Sequence, residues 1–499
     1  MTDYTPAEAA PVADATMRDH VTLWVNGIRR EVRGGDAFLT LSDYLRDRRG
    51  LVGTKVMCAE GDCGACTVLV ARPPASGAEA AFLPIDSCIR FLFQVDGCHV
   101  VTVEGLARDG VLAPAQQAMV DCHGSQCGFC TPGFVMALAG TRHAAVGHGG
   151  GIDWRRELSG NLCRCTGYVS IFEAAERAAA SPDWVATRYP PDWCAEARGL
   201  RGESLDLRGT LDGVELRATS PATLAEAVAV RAAAPDARPV AGATDLGVLW
   251  NKGRLPARHW LDLSRLVGLD RVDVEASPAG TGLVVGALAT WTDFLGACRE
   301  HCPEFVPIGA AFGGPQIRHV GTVGGNIVNG SPIADSLPLF YATEAVLELA
   351  SPRGTREVPI DRFSKGYKQL DLAADELLVR IRLRLPGPGE RLGLVKVSRR
   401  RDLDISTFTA AVRLRLDGDR IASATVAYGG VGPTVVRMRG TEAALVGRPF
   451  TAETFRRAGD AAVAEITPLT DVRGSADYRR QLARNVLLKF FHEQVLAHA

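Results

Sequence analysis

Short runs of alternating apolar and polar residues open the chain. VTLWV from Val21 and HVVTV from His99 read as strands, and short segments of this kind continue between Val21 and Glu104. From Gly105 to Ala180 the spacing becomes helical, in the apolar run GFVMALAG and again in IFEAAERAAA. Residues 181–216 are rich in Pro, Trp and Arg with little periodicity, which predicts a long linker docked on the surface. From Arg217 an α/β pattern begins: SPATLAEAVAVRAAAP has the start and spacing of a helix, and PVAGATDLG reads as a strand running into a glycine turn. The strands TAAVRLRL and SATVAYGG and the amphipathic stretch YRRQLARNVLLKFFHEQVL complete the pattern. The expected fold is multidomain α+β: an extension over 1–20, a β-rich domain over 21–104, a helical domain over 105–180, the linker over 181–216, an α+β domain over 217–388 and a small α+β domain over 389–499.

Eight of the 13 cysteines form two sets of four. Cys58, Cys63, Cys66 and Cys88 read C-x4-C-x2-C with a distant fourth thiolate, the spacing of a plant-type 2Fe-2S cluster. The intervening GTKVMCAEGDCGACTV is glycine-rich, and Gly53, Gly61 and Gly64 allow positive φ and close approach of amides to sulfur. Cys127, Cys130, Cys163 and Cys165 join a C-x2-C to a remote C-x-C, and each dyad precedes an apolar helical pattern whose N-terminus favours anionic ligands. Zinc is the competing ligand for both sets, and the more open alternative for the second, since paired cysteine dyads also build zinc ribbons. Cys98, Cys122, Cys194, Cys298 and Cys302 are expected to be non-ligands. HAAVGHGGG, from His143 to Gly151, offers two histidines between the dyads but reads as a glycine-rich connector.

The turn after PVAGATDLG lacks the G-x-G-x-x-G of a Rossmann site. Gly242, Ala243, Thr244 and Asp245 offer backbone amides and a hydroxyl to a pyrophosphate, or form only a turn. Thr322, Gly324, Gly325 and Asn326, followed by Ser331 and Asp335, make a second small-residue loop at which a diphosphate or ribityl chain would lie against backbone.

Composition narrows the classes. At 499 residues, with 46% hydrophobic and 23% charged residues and a net charge of −1, the chain has no electrostatic case for nucleic acid or an anionic membrane. The run Ser398-Arg399-Arg400-Arg401 is followed by Asp402 and Asp404, which argues the same way. No run of about 18 apolar residues suggests a membrane span, and the N-terminus lacks the apolar core of a secretory signal, so the cytoplasm is expected.

CAEGDCGACTV, QCGFCTPG and GNLCRCTGY, followed by VAGATDLG and VGTVGGNIVNGSPIADSLPLF, resemble in order the iron-sulfur and FAD segments of the molybdenum hydroxylases, xanthine dehydrogenases in particular. The resemblance covers roughly Val21 onward. It implies a ferredoxin-like β-grasp domain, a helical-bundle 2Fe-2S domain, a two-part α+β FAD-binding domain and a small C-terminal flavoprotein domain. It also implies FAD contacts at Val240, Ala241, Gly242, Ala243, Thr244 and Asp245, at Thr322, Val323, Gly324, Gly325 and Asn326, and at Asp335, Phe312, Leu378 and Lys396. Ala243 departs from the asparagine frequent there in the family. The basic run lies, by the same resemblance, near the route of flavin access.

No further several-hundred-residue region follows that would bind molybdopterin, so the expectation is an electron-transfer chain whose partner carries molybdenum, in a heterotetramer of two small and two large subunits. Electrons would pass through both clusters to FAD and then to NAD, because clusters move single electrons and nicotinamide takes a pair. The remaining alternatives are the corresponding chain of an aldehyde or N-heterocycle hydroxylase, and a free-standing NADH reductase.

Overall fold

In a computed structural model the described residues are 17–74, 77–145, 152–181, 183–277 and 280–497. Most of the extension and most of the glycine-rich connector ending at Gly151 lie outside them. Strands β1 (Val21–Val25), β2 (Ile28–Val32), β3 (Thr67–Ala71), β4 (Leu83–Asp86) and β5 (His99–Val101) form one sheet in the order β2-β1-β5-β3-β4. The central pair β1 and β5 is parallel, with Trp24 opposite His99, and the other pairs are antiparallel. All of β1 is buried, because one face packs on Phe38, Leu41 and Leu45 and the other on the helical part.

The helical part is built on Pro114–Asp121, Thr131–Ala145 and Val169–Ala179. Phe134, Val135, Met136, Ala137 and Leu138 are all buried, so the middle helix is apolar on every side and forms the centre of this layer.

Among the described residues the second half of the chain contains four further sheets, one of them a two-stranded ribbon of Ser364–Gly366 and Gln369–Leu370. Strands β6 (Leu205–Leu211), β7 (Val214–Ser220), β8 (Arg238–Val240) and β9 (His259–Asp262) run in the order β6-β7-β9-β8, with β7, β9 and β8 parallel. The second is a five-stranded antiparallel sheet of Val272–Ser277, Gly280–Gly286, Leu377–Arg384, Val346–Ser351 and Gly354–Pro359. The last is an antiparallel meander of Glu390–Val397, Phe408–Asp417, Arg420–Gly429 and Val436–Arg437, backed by the helices Ala452–Ala464 and Ala476–Ala497. Threonine starts several helices: Thr223, Thr290, Thr322 and Thr451 each accept the amide three residues on, at 3.1–3.4 Å. This is the mixed α+β, multidomain architecture read from the sequence. Among the described residues no helix is long and apolar enough to cross a membrane.

Two expectations need correction. Residues 181–216 are not a featureless linker: they hold the helices Trp184–Arg188 and Cys194–Leu200 and all of β6. Val185, Tyr189, Trp193, Ala197 and Leu200 are buried at near-helical spacing, and Pro190-Pro191 breaks the period that would have revealed them. Nor is Arg18 part of a detached extension, because its amide donates to Ser204 O at 3.0 Å and its guanidinium grips Asp96 at 2.7 and 2.9 Å.

The cluster-bearing and flavin halves share one core. Phe91 and Phe93, from the first half, stack on each other and meet Trp260 of β9 at ring distances of 4.8 and 6.1 Å, with Trp250 closing the box at 5.8 Å from Phe91. Replacing Trp260 by alanine should cost about 3–5 kcal/mol of stability in urea unfolding. Because the ring serves both halves, hydrogen exchange should accelerate in β1–β5 as well as in β6–β9; acceleration confined to the second group would refute a shared core.

Candidate iron-sulfur and flavin site

The first cysteine loop wraps back on itself through Gly61 and Gly64, both at positive φ (74° and 62°). Ala59 joins them at 53°, whereas Gly53 does not; its amide instead donates to Glu104 at 2.7 Å. Cys58 and Cys63 are partly buried, Cys66 and Cys88 fully so. Cys58 lies in hydrogen-bonding contact with Cys63 and Cys88, and Cys66 with Cys88, while the Glu60 amide points at Cys58 Sγ from 3.4 Å. These contacts split the acidities: Cys63 and then Cys88 hold Cys58 far below an ordinary thiol, and contact with Cys58 first drives Cys63 and Cys88 far above it.

In the second set Cys130 meets Cys163, and Cys127 meets Cys165, so each contact joins one cysteine of either dyad. Helix Thr131–Ala145 starts one residue after Cys130, and Val169–Ala179 follows Cys165 through a turn with Gly167 and Tyr168 at positive φ. The Cys163 amide donates to the Tyr168 hydroxyl at 2.9 Å. Burial, then contact with Cys163, pushes the Cys130 thiol up to about 12. Cys163 itself is lowered, since hydrogen bonds from Thr166 and nearby amides outweigh its burial.

Among the described residues no three His, Cys, Asp or Glu side chains converge as they would on a single ion. The sulfurs of the first set touch in a chain, Cys63–Cys58–Cys88–Cys66, and those of the second in two pairs. Four thiolates in each set meet the ligand count of a 2Fe-2S cluster. Thiols this close cannot all ionise unaided, and a cationic centre among them removes that penalty. Cys98, Cys194, Cys298 and Cys302 are buried elsewhere, and Cys122 packs against the helical core.

The two small-residue loops meet each other. After β8 the chain turns through residues 241–245 into helix Leu246–Asn251, and Gly242 is pressed against the Val320 carbonyl so closely that a Cβ would collide. Ala243 sits at φ 61°, a left-handed conformation that asparagine tolerates better than alanine, which gives the family's frequent asparagine a backbone reason. Among the described residues the amides of residues 242–245 have no protein acceptor. That run of unpaired donors suits a diphosphate. The second loop differs: the Val323 and Gly324 amides donate to Ala289 and Ala287, and Gly325 to the Thr322 hydroxyl, so Gly325 presents an exposed surface rather than free donors. Asn326 accepts from Ser336 at 2.7 Å.

Asp335 and Lys396 are not separate contacts but a buried ion pair, each side chain 7% exposed. Ser406 donates to the other Asp335 oxygen at 2.5 Å, and Lys396 also reaches the Asp404 carbonyl at 2.9 Å. Phe312 is partly buried with its ring 5.0 Å from Trp291, and Leu378 lies in the core of the five-stranded sheet.

Residues that sequence reasoning passed over connect these parts. Gln94 donates to Ala241 O at 2.7 Å, and Asn251, at the end of the flavin-loop helix, donates to Cys88 O at 2.8 Å and Ala59 O at 2.9 Å. The Leu162 amide donates to Cys63 O at 3.0 Å, linking the two cysteine loops directly. Only Asn161 and Leu162 lay inside a recognised motif.

Sequence profiles match along the chain: a 2Fe-2S iron-sulfur cluster binding domain over 24–87, a [2Fe-2S] binding domain over 102–176, the FAD binding domain in molybdopterin dehydrogenase over 214–386, and a CO dehydrogenase flavoprotein C-terminal domain over 394–494. A solved carbon monoxide dehydrogenase from Hydrogenophaga pseudoflava aligns at 31% identity and TM-score 0.52, over 55% of this chain and 94% of that one. The chain belongs to the molybdenum hydroxylase family, as an iron-sulfur/FAD chain. Xanthine dehydrogenase 1 of Arabidopsis thaliana is 29% identical over 94% of the chain, and the xanthine dehydrogenase of Emericella nidulans 30% identical over 98%. The iron-sulfur/FAD chain spans 39% and 40% of those two relatives.

At the junction of the halves His319 hydrogen-bonds Pro84 O through Nδ1 at 2.8 Å. Burial pulls its pKa down to about 4 from 6.5. It is therefore neutral in the fold, and the stability this confers is complete above pH 6.5 and lost as pH falls from 6.5 toward 4, where only the unfolded chain gains the proton. Thermal midpoints across this range should drop on acidification, and His319→Gln, which cannot titrate but can still donate to Pro84, should flatten the drop.

Proposed function

We propose that this chain is the electron-transfer subunit of a xanthine dehydrogenase, accepting electrons from a partner chain that holds molybdopterin and delivering them to NAD. That the chain is an electron-transferring oxidoreductase component with two 2Fe-2S domains and an FAD-binding domain follows from its family. The xanthine dehydrogenase reading rests on the relatives of that name, and the order of the relay on a series of contacts. Cys163 is joined through the Leu162 amide to Cys63, and Cys88, of the same set as Cys63, is held by Asn251 on the helix that opens at the flavin loop. Bound at these sites, the clusters supply single-electron transfer and FAD converts single electrons to a hydride.

In this reading Cys58, Cys63, Cys66 and Cys88 hold one cluster and Cys127, Cys130, Cys163 and Cys165 the other. Cys127 and Cys165 are exposed, so the second set is the one a partner can approach. The amides of residues 242–245 take the flavin diphosphate. The Asp335–Lys396 pair, neutral as a whole, fixes the Lys396 ammonium near the second loop, where it would donate to a bound flavin. The complex is a cytoplasmic heterotetramer of two such chains and two molybdenum chains, and the substrate is chosen by the partner.

The purified chain should hold about four irons and one FAD. In stopped-flow mixing, NADH should bleach both flavin and cluster absorbance while xanthine leaves them unchanged. Rapid bleaching by xanthine without a molybdenum partner would overturn this division of labour, and inertness toward NADH with FAD bound would move the acceptor away from nicotinamide.

Single substitutions should separate the sites. Cys130→Ser should remove one cluster's signal in electron paramagnetic resonance and spare the other, since a hydroxyl is a poor substitute for thiolate. Gly325→Val, at an exposed position, should deplete FAD and abolish NADH reduction while both cluster signals persist.

A further inference from the structure

The segment from Pro315 to Val320 touches every part of the relay. Ile317 packs on Cys66, Cys88 and Ile89, and Arg318 donates to the carbonyls of Ala310 and Gly313 beside Phe312. His319 binds Pro84, and Val320 abuts Gly242. Between them Gln316, 1% exposed, enters the seam where the two cysteine loops meet.

Its contacts there fix its orientation. Nε2 donates to Asn161 Oδ1 at 2.8 Å and to Thr67 Oγ1 at 3.2 Å. The Thr67 hydroxyl already donates to Gly64 O at 2.6 Å and the Asn161 amide nitrogen to the same carbonyl at 3.0 Å, so both partners can only accept from Gln316. Gly64 lies between Cys63 and Cys66, and Asn161 stands beside Leu162, whose amide binds Cys63. The flavin half thus supplies the donor that closes a clasp across the two cysteine loops.

We propose that Gln316 is a positioning residue for electron exchange between the two clusters: its buried amide clamps Asn161 to Thr67 and so holds the Leu162-to-Cys63 hydrogen bond in register. This rests on the reading that the two cysteine sets carry 2Fe-2S clusters. The step it serves moves one electron from one cluster to the other, with no bond made or broken and no proton required. Packing alone does not call for glutamine here. Its Oε1 is buried with no hydrogen-bond partner and lies against Gly160, so the amide costs desolvation that a leucine of similar size avoids. What leucine cannot supply is the donor that faces both loops.

The test uses the full chain loaded with clusters and FAD, as wild type, as Gln316→Leu and as Thr67→Val, which removes an acceptor of the same clasp. Iron and flavin content are measured first. Three further readouts are hydrogen exchange at the Leu162 amide, magnetic interaction between the two clusters after dithionite reduction, and re-equilibration between the clusters after a pulse of photogenerated deazaflavin radical. Both variants should keep full iron and FAD, exchange the Leu162 amide at least about tenfold faster, show altered magnetic interaction and re-equilibrate about tenfold more slowly. The double variant should be little worse than either single one, because both open the same clasp.

Full iron with unchanged exchange, interaction and rate would overturn the inference alone. Loss of iron in both variants would also overturn it, by showing that the clasp builds the clusters rather than aligns them. A wild-type chain without iron would instead bring down the cluster reading, and this inference with it.

Discussion

Contact between bare backbones at the meeting of the two cysteine loops is the constraint on which the relay depends. A side chain on Gly64 would collide with the Gly160 carbonyl and Asn161, and one on Gly133 with the Gly64 carbonyl. The first loop therefore lies directly on the start of the Thr131–Ala145 helix and on the approach to Cys163, backbone against backbone at Gly64 and Gly133. Because the loops touch at backbone level, a main-chain amide from one reaches a main-chain carbonyl of the other, and Leu162 can bond Cys63. Any residue larger than glycine would act as a spacer and lengthen every path between the two sets.

Electrostatics completes what packing begins. Apposed thiols resist joint ionisation, with Cys63 and Cys88 pushed up by contact with Cys58, and a cationic centre among them would remove that penalty. At the flavin end the arrangement is the reverse: Lys396 and Asp335 neutralise each other in a buried pair, fixed further by Ser406 and the Asp404 carbonyl, and the unpaired donors of residues 242–245 supply the partial positive charge. One end of the chain suits a cation and the other an anion.

Sequence pattern revealed the cysteine sets because metal ligation imposes fixed local spacing, and the flavin loops because close approach demands small residues. It failed where the determining contacts span the chain. The helices of residues 184–200 were hidden by Pro190-Pro191, which cut one apolar series into two pieces too short to read. Asp335 and Lys396 were each legible as polar residues near a cofactor, but 61 residues separate them and nothing local declares that they pair. Gln316 and Asn251 carry no signal of their own, since an amide whose partners are remote carbonyls or side chains looks like any surface amide in sequence. Ala59 carries no signal for another reason: left-handed backbone at alanine is uncommon, and its side chain gives no hint of it.

The aromatic box of Phe91, Phe93, Trp250 and Trp260 bears on assembly in the cell. A chain whose cluster-bearing and flavin halves bury the same rings leaves those rings half-covered whenever one half is open. Iron would be admitted to a loop whose neighbour already stands in place. A half-built species, with reducible cysteine-bound iron but no flavin to drain it, would pass electrons to whatever oxidant diffused near. The common core ties the packing of one half to that of the other, so that insulation arrives together with conduction.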